Sequence, residues 1–422
     1  MFALDLLGAA AFAAWVFLLL AWGRFWTADM RLARLPARAD PARSPAGPLK
    51  LDLLRAPQPA RARPPKEAEA VSAKWPEVVG VIPARDEADS IGQVVEAHLG
   101  GRYPGLFSLV LVDDASSDGT AEIAKAAAEG LPRRLSVIAG EALPPGWTGK
   151  LWAQAQGLAA ARRLAPEAKY VLLCDADIVF GKATLTRLVA QAEAEGAALV
   201  SLMARLDARG FWASILIPAF ILFFQKLYPF AWSNDPKRRT AAAAGGVMLA
   251  RAEALQALNL PASIQGALID DCALAAKIKR SGRKTWIGLA APGEAVSLRD
   301  NRGFGSIWSM VARTAYAQLG NNPWLLWGCL FGLAFLYLAG PALLLTLPWH
   351  GSVAAASFGA AAWGLMTLAF LPTAYDYGRP WAAPLLPLAG LLYGLMTFDS
   401  ARRSWQGRGG AWKGRTYPAK AG

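Results

Sequence analysis

The chain has 422 residues, 55% of them hydrophobic, with 44 lysines and arginines against 31 aspartates and glutamates and a formal net charge of +13. The apolar residues gather at the N-terminus and beyond residue 323, which excludes a wholly soluble protein and points to an integral membrane protein carrying one soluble domain. The basic excess flanks apolar runs (Arg24, Arg31, Arg34, Arg38 and Arg43; Arg402, Arg403, Arg408, Lys413 and Arg415), as anionic headgroups and the topology bias of basic loops require, so no nucleic-acid partner is expected. Cys174, Cys272 and Cys329 are scattered and form neither a disulfide framework nor a metal spacing, which suits a reduced compartment. His98 and His350 are isolated and read as structural.

Residues 2–23 are long enough to span a bilayer, and their basic residues follow the apolar core instead of preceding it. The sequence therefore predicts an anchor over 1–26, its N-terminus outside and the following chain in the cytoplasm. Residues 27–76, rich in Pro, Ala and Arg, read as a linker. From 77 to 320 the texture is α/β. Short β-branched runs at 78–84, 109–113, 135–140 and 170–177 alternate with helical spacing, as at 90–99, and predict a mostly parallel sheet with polar residues at strand carboxyl ends.

Residues 211–230 are almost long enough to cross a membrane, but a crossing would put acidic motifs on either side of it on opposite faces. The sequence predicts instead an interfacial helix broken near Pro218 and anchored by aromatics and Lys226. Within 321–400 lie three apolar segments, near 324–347, 352–372 and 381–398. Three crossings would strand the basic tail, 401–422, opposite the soluble domain. The third segment is short and carries Pro384 and Pro387, so it is the one expected not to cross.

Four acidic clusters mark the soluble domain: Asp86-Glu87, Asp113-Asp114, Asp175-Ala176-Asp177 and Asp270-Asp271. Asp175 and Asp177 are two apart, so on extended backbone both carboxylates face one side and could hold Mg²⁺ or Mn²⁺. Taken alone, the same pair is also the pattern of a loop with solvated aspartates. Asp270 and Asp271 open a helix, where carboxylates serve equally as N-terminal capping charge.

The order of these motifs resembles the family-2 glycosyltransferases of the GT-A fold. PARDEA (83–88), VDDASSDGT (112–120), GKLWAQAQG (149–157), DAD (175–177) and IDD (269–271) are similar to that family's motifs, in its order, over most of 78–290. The resemblance implies a GT-A-like α/β domain that binds a nucleotide sugar, UDP-linked by expectation. Pro83, Arg85, Glu87, Asp113, Asp114, Lys150 and Asp175 would then lie on the donor and Asp177, with Asp175, on the metal. Asp271 would be the general base, with Asp270 beside it. AAAAGGVMLAR (241–251) resembles an acceptor-side turn through Gly245, Gly246 and Arg251; a tight bend before a helix reads the same way.

Where processive relatives carry Q-x-x-R-W, this chain has Met310, Arg313 and Thr314. Arg313 alone matches and remains a diphosphate contact. The missing tryptophan disfavours a polysaccharide synthase. A non-catalytic scaffold is disfavoured by four intact acidic motifs. LPPGWTGKLWAQAQG (143–157), the trailing apolar segments and Trp412-Lys413-Gly414-Arg415 are similar to the bacterial hopene-associated glycosyltransferases, implying an isoprenoid or other lipid acceptor at the inner membrane of a bacterium.

Overall fold

The computed structural model describes residues 1–33, 75–409, 411–412 and 415–416. Residues 34–74, most of the expected linker with Arg34, Arg38 and Arg43, and Lys413 and Gly414 of the tail lie outside the described residues.

After the N-terminal helix α1 (Phe2–Ala21), the catalytic domain alternates strands and helices. It runs β1 (Val78–Ala84), α2 (Ala88–Leu99), β2 (Phe107–Asp113), α3 (Thr120–Ala128), β3 (Arg134–Ala139), α4 (Gly149–Leu164), β4 (Tyr170–Cys174), β5 (Ile178–Phe180), α5 (Thr184–Glu195) and β6 (Leu199–Met203). Next come α6 (Phe211–Leu227), α7 (Phe230–Asn234), β7 (Val247–Arg251), α8 (Ala252–Ala257), α9 (Asp270–Arg280), β8 (Thr285–Leu289) and β9 (Ala295–Ser297). The chain continues as α10 (Phe304–Ala312), α11 (Ala315–Gln318), α12 (Pro323–Leu333), α13 (Ala339–Leu345), α14 (Leu347–His350), α15 (Val353–Asp376) and α16 (Leu386–Trp405). A two-stranded hairpin, β10 (Ala411–Trp412) with β11 (Arg415–Thr416), ends the described chain.

Seven strands form one sheet in the order β3-β2-β1-β4-β7-β6-β8. All neighbours pair parallel except β7, which runs antiparallel to both β4 and β6. The sheet is mostly parallel, as the strand pattern implies, and the fold is the GT-A-like one that the motif resemblance implies. Strands β1 and β4 are buried at every position, so their apolar, β-branched runs have both faces covered, and helices pack on each side. Gly157 lets α4 approach: a Cβ there would stand 2.4 Å from Val81 Cγ1, so no larger residue fits without displacing the strand. The chain leaves β1 for β2 on one side and returns to β4 on the other, which opens a crevice at their carboxyl ends.

Among the described residues four helices are long and apolar enough to cross a membrane: Phe2–Ala21, Pro323–Leu345, Val353–Asp376 and Pro380–Trp405. The last is 26 residues long, not short as its sequence suggested, because Pro384 sits in an initial 3-10 turn and Pro387 in the first turn of α16, where neither interrupts a helical ladder. Both its ends are nonetheless tied to the catalytic side. At the start, Arg379 Nε donates to Ser214 Oγ at 2.9 Å, just after Asp376 has met Arg31 at 2.6 Å and Arg205 at 2.7 Å. At the end, Trp308 Nε1 of α10 donates to Asp399 at 2.8 Å and Tyr316 N to Ser400 Oγ at 2.9 Å. The opposite end of the bundle is marked by Asp5 of α1 against Ser352 at the start of α15.

Helix α6 lies across the base of this bundle, both its ends leading back into the catalytic domain. It runs unbroken through Pro218, contrary to the break expected there. Packing holds the helix there: Ile215, Leu216, Ile217, Pro218, Ala219 and Ile221 are all buried, and Tyr393 Oη donates to the Leu216 carbonyl at 2.9 Å. Lys226 also departs from expectation. Its Nζ turns inward to donate to Tyr337 Oη at 2.7 Å and lies over the Tyr337 and Phe223 rings.

Candidate active site

Three of the four acidic clusters leave the carboxyl ends of β1, β2 and β4, and the fourth opens α9. After β1, Asp86 takes a left-handed conformation (φ 50°) and its Oδ1 accepts the Ser117 N–H at 2.9 Å. Asp118 Oδ2 accepts the Ala88 N–H at 2.9 Å, so the β2–α3 turn closes over the start of α2. Glu87 is the N-cap residue of α2, and Thr120 Oγ1 accepts its N–H at 2.9 Å. Arg85 lies 3.7 Å from the buried Asp114 carboxylate, and Asp113 Oδ1 accepts the Ser116 N–H at 3.1 Å. Pro83 is in β1, within the same crevice wall.

The second half of the site centres on Lys150 in the first turn of α4. Its Nζ lies 2.8 Å from Asp175 Oδ1 and 3.3 Å from Asp270 Oδ2. Burial alone would lower its pKa, but Asp175, Asp270 and Asp271 outweigh burial and raise it, keeping the ammonium charged. Asp271 is held by two backbone donors, Cys272 N at 2.7 Å to Oδ1 and Gly245 N at 2.8 Å to Oδ2. Burial, then the neighbouring Asp270, pushes its pKa up to about 6, against Lys150 and those two N–H groups. A Cβ at Gly245 would stand 3.2 Å from both Asp271 Oδ2 and Lys150 Nζ, so the close approach of this turn depends on glycine.

Asp177 Oδ2 accepts from Ser297 Oγ at 2.8 Å and lies 3.9 Å from Arg299 Nε. Burial, then Asp175, raises its pKa, and Arg299 and Ser297 offset part of that. The donor set suits a hard divalent cation, because two carboxylates repel across a buried gap that a cation would neutralise. Among the described residues no three His, Cys, Asp or Glu side chains converge as a ligand set. The protein would therefore hold such an ion through Asp177 and Asp175 alone, with water or phosphate oxygens completing its shell, an arrangement common for Mg²⁺.

Arg313, the C-cap residue of α10, has its pKa lowered by burial and by Arg299, while Asp175, Asp270 and Asp177 oppose that shift, so its charge faces the same cluster. Gly246 follows Gly245 into β7, its carbonyl accepting the Asp175 N–H at 3.3 Å. Arg251 does not join them. Because β7 is antiparallel to β4, Arg251 pairs with Tyr170 while Val247 pairs with Cys174, which puts it at the opposite end of these strands. There its Nε donates to the Ala197 carbonyl at 3.1 Å.

Sequence reasoning missed Ser297 and Arg299. They reach Asp177 through the antiparallel pairing of β5 with β9, between segments more than a hundred residues apart, and no local pattern signals it.

The family model described as "Glycosyltransferase like family 2" matches residues 76–314 of the chain. A search of curated proteins gave no match. Among solved structures, a mannosyltransferase from Pyrobaculum calidifontis in complex with GDP-Man and Mn²⁺ is 20% identical, with 95% of this chain and 98% of that one covered and a TM-score of 0.49. Glucosyl-3-phosphoglycerate synthase from Mycobacterium tuberculosis, in complex with Mn²⁺, uridine diphosphate and phosphoglyceric acid, is 20% identical over 58% of this chain and 78% of that one, with a TM-score of 0.41. TarS from S. aureus is 13% identical over 74% and 55%, with a TM-score of 0.37.

Proposed function

The chain belongs to the glycosyltransferase-like family 2, and from that premise we propose that it transfers a hexose with inversion from a nucleotide sugar, UDP-linked by expectation, to a membrane lipid. The observation that carries this reading is the convergence of Lys150, Asp175, Asp270, Asp271 and Gly245 at the carboxyl end of β4, beside the Asp114 pocket.

Arg85, Glu87, Asp113 and Asp114 form the nucleoside side of the crevice. Lys150 and Arg313 offer cations to the diphosphate, Lys150 from the N-terminal turn of α4, where backbone N–H groups add to the pull on an anion. Asp177 and Asp175 would hold a divalent ion, which when bound would supply charge neutralisation for the departing nucleoside diphosphate. Asp271, ionised above about pH 6, accepts the proton of the acceptor hydroxyl. The oxygen so freed forms its bond to the anomeric carbon from the face opposite the diphosphate, while the carbon–oxygen bond to the diphosphate breaks and its electron pair leaves with the nucleoside diphosphate. The Cys272 and Gly245 N–H groups hold Asp271 in place.

The reading of the membrane part is three crossings, by α1, by α12–α13 and by α15, with the segment 380–405 entering and leaving on the catalytic side. That puts the basic tail with the catalytic domain. It accords with the positive-inside bias and with a catalytic domain facing the cytoplasm at a bacterial inner membrane. The likeness of 143–157 and the tail to hopene-associated transferases supports an isoprenoid or hopanoid acceptor.

The test is Asp271→Asn in the purified full chain with donor, metal and a membrane lipid extract. Transfer should be abolished with donor binding retained; transfer at the wild-type rate would remove Asp271 from the mechanism.

A further inference from the structure

A cleft of about 480 Å³ lies between α9, the end of α6 and α11, on the flank of the catalytic domain that faces the membrane bundle. Its volume is within the usual range for small-ligand sites. One wall is a single face of α9, where Ile269, Cys272, Ala273, Ala276 and Arg280 follow the three-and-four helical spacing. The cleft thus starts at Ile269 and Cys272, which flank Asp270 and Asp271 in sequence, and runs along the helix to Arg280, about 15 Å away at 1.5 Å per residue.

Arg239 also lines the cleft, and among the described residues no carboxylate does. Both arginines are exposed, and among the described residues neither forms an ion pair. Two uncompensated guanidiniums on an otherwise apolar and hydroxyl-bearing wall are a recognition element for a phosphate. The location points to a lipid source. Trp232, in the helix before the Arg239 loop, packs against Trp22 at 5.0 Å, where α1 ends, and Arg238 lies over the Trp232 ring at 5.4 Å. An aromatic pair with flanking arginines at a helix exit marks headgroup level.

We propose that this cleft seats the anionic phosphate headgroup of the acceptor lipid, with Arg239 and Arg280 as the phosphate ligands and the accepting hydroxyl directed along α9 to Asp271. The proposal rests on the glycosyl-transfer reading above and narrows its acceptor to a phosphate-bearing lipid.

Native mass spectrometry of the detergent-solubilised full chain, given equal phosphatidylglycerol and phosphatidylcholine, tests it. Wild type should retain phosphatidylglycerol in about tenfold preference, as charge-assisted hydrogen bonds from two arginines imply. Arg239→Gln with Arg280→Gln should remove the preference. Lys237→Gln, an exposed neighbour that does not line the cleft, should keep it. An unchanged preference in the double variant would overturn the proposal, and an equal loss in Lys237→Gln would reduce the effect to diffuse surface charge. Complete displacement by inorganic phosphate at the lipid's concentration would make the cleft a free-anion site and overturn the lipid assignment. Calorimetric binding of nucleotide sugars by the same wild-type protein is the separate test of the transferase reading, and its failure leaves the lipid result standing on its own.

Discussion

Lys150 Nζ bridges Asp175, 2.8 Å away at the end of β4, and Asp270, 3.3 Å away at the start of α9. One ammonium therefore joins the proposed metal side of the crevice to the proposed base side. Lys150→Met should leave Asp175, Asp270 and Asp271 without the ammonium between them, with Arg313 the remaining cation facing the cluster. The loss of melting temperature should be larger at pH 8 than at pH 5, because protonation relieves the repulsion. A pH-independent loss in thermal scans would contradict the bridging role.

Asp271 carries a testable sign. Its folded pKa, raised to about 6 from an ordinary 3.8, means that between those values the folded state binds more protons than the unfolded one. Stability from this group is thus present in acid and lost as pH rises through about 6. Asp271→Asn should melt higher than wild type at pH 8, the gain vanishing below about pH 4. Transfer should fall by about 10²–10⁴-fold. Wild-type rates should rise through about pH 6 and then level off; a profile flat from pH 5 to 8 would assign the proton to another group.

Gly245→Ala separates geometry from folding. The added Cβ stands 3.2 Å from both Asp271 Oδ2 and Lys150 Nζ, so the two groups must part. Transfer should drop by about 10-fold, from a shift of a few tenths of an ångström at the proposed base, with melting little changed. Gly157→Ala should show the reverse. Its Cβ would lie 2.4 Å from Val81 Cγ1, costing about 1–3 kcal/mol of stability through overpacking. Chemical denaturation and initial rates on both variants check the contrast.

The membrane arrangement is open to labelling. Single cysteines at Gly378 and Gly407 should react with an impermeant maleimide from the same side as the catalytic domain, and one at Gly351 from the opposite side. Labelling of Gly378 and Gly407 from opposite sides would make the segment 380–405 a full crossing.

Much of the fold was legible locally. VVGVIPA is β1 to the residue, because buried parallel strands need uninterrupted apolar runs; of the strand expected over 170–177 only YVLLC is β4, and Asp175, Ala176 and Asp177 turn away after it instead of continuing extended. Asp270 and Asp271 open α9 as their helical downstream sequence implied. What depended on pairing was not legible. The antiparallel direction of β7 delivers Gly245 to the crevice and carries Arg251 away from it. Ser297 and Arg299 arrive by β5–β9 pairing, and Pro218 stays within α6 because of neighbours that only the folded bundle supplies.

The central claim is that Lys150, Asp175 and Asp177 receive a nucleotide sugar with a divalent ion. Its most direct test is calorimetric titration of UDP- and GDP-sugars into the solubilised full chain, with and without Mn²⁺, alongside Asp177→Ala. Saturable binding of one nucleotide sugar that requires the ion, and is lost in Asp177→Ala, is the predicted result. A folded protein that binds none of them, or binds one equally without the ion, would contradict it.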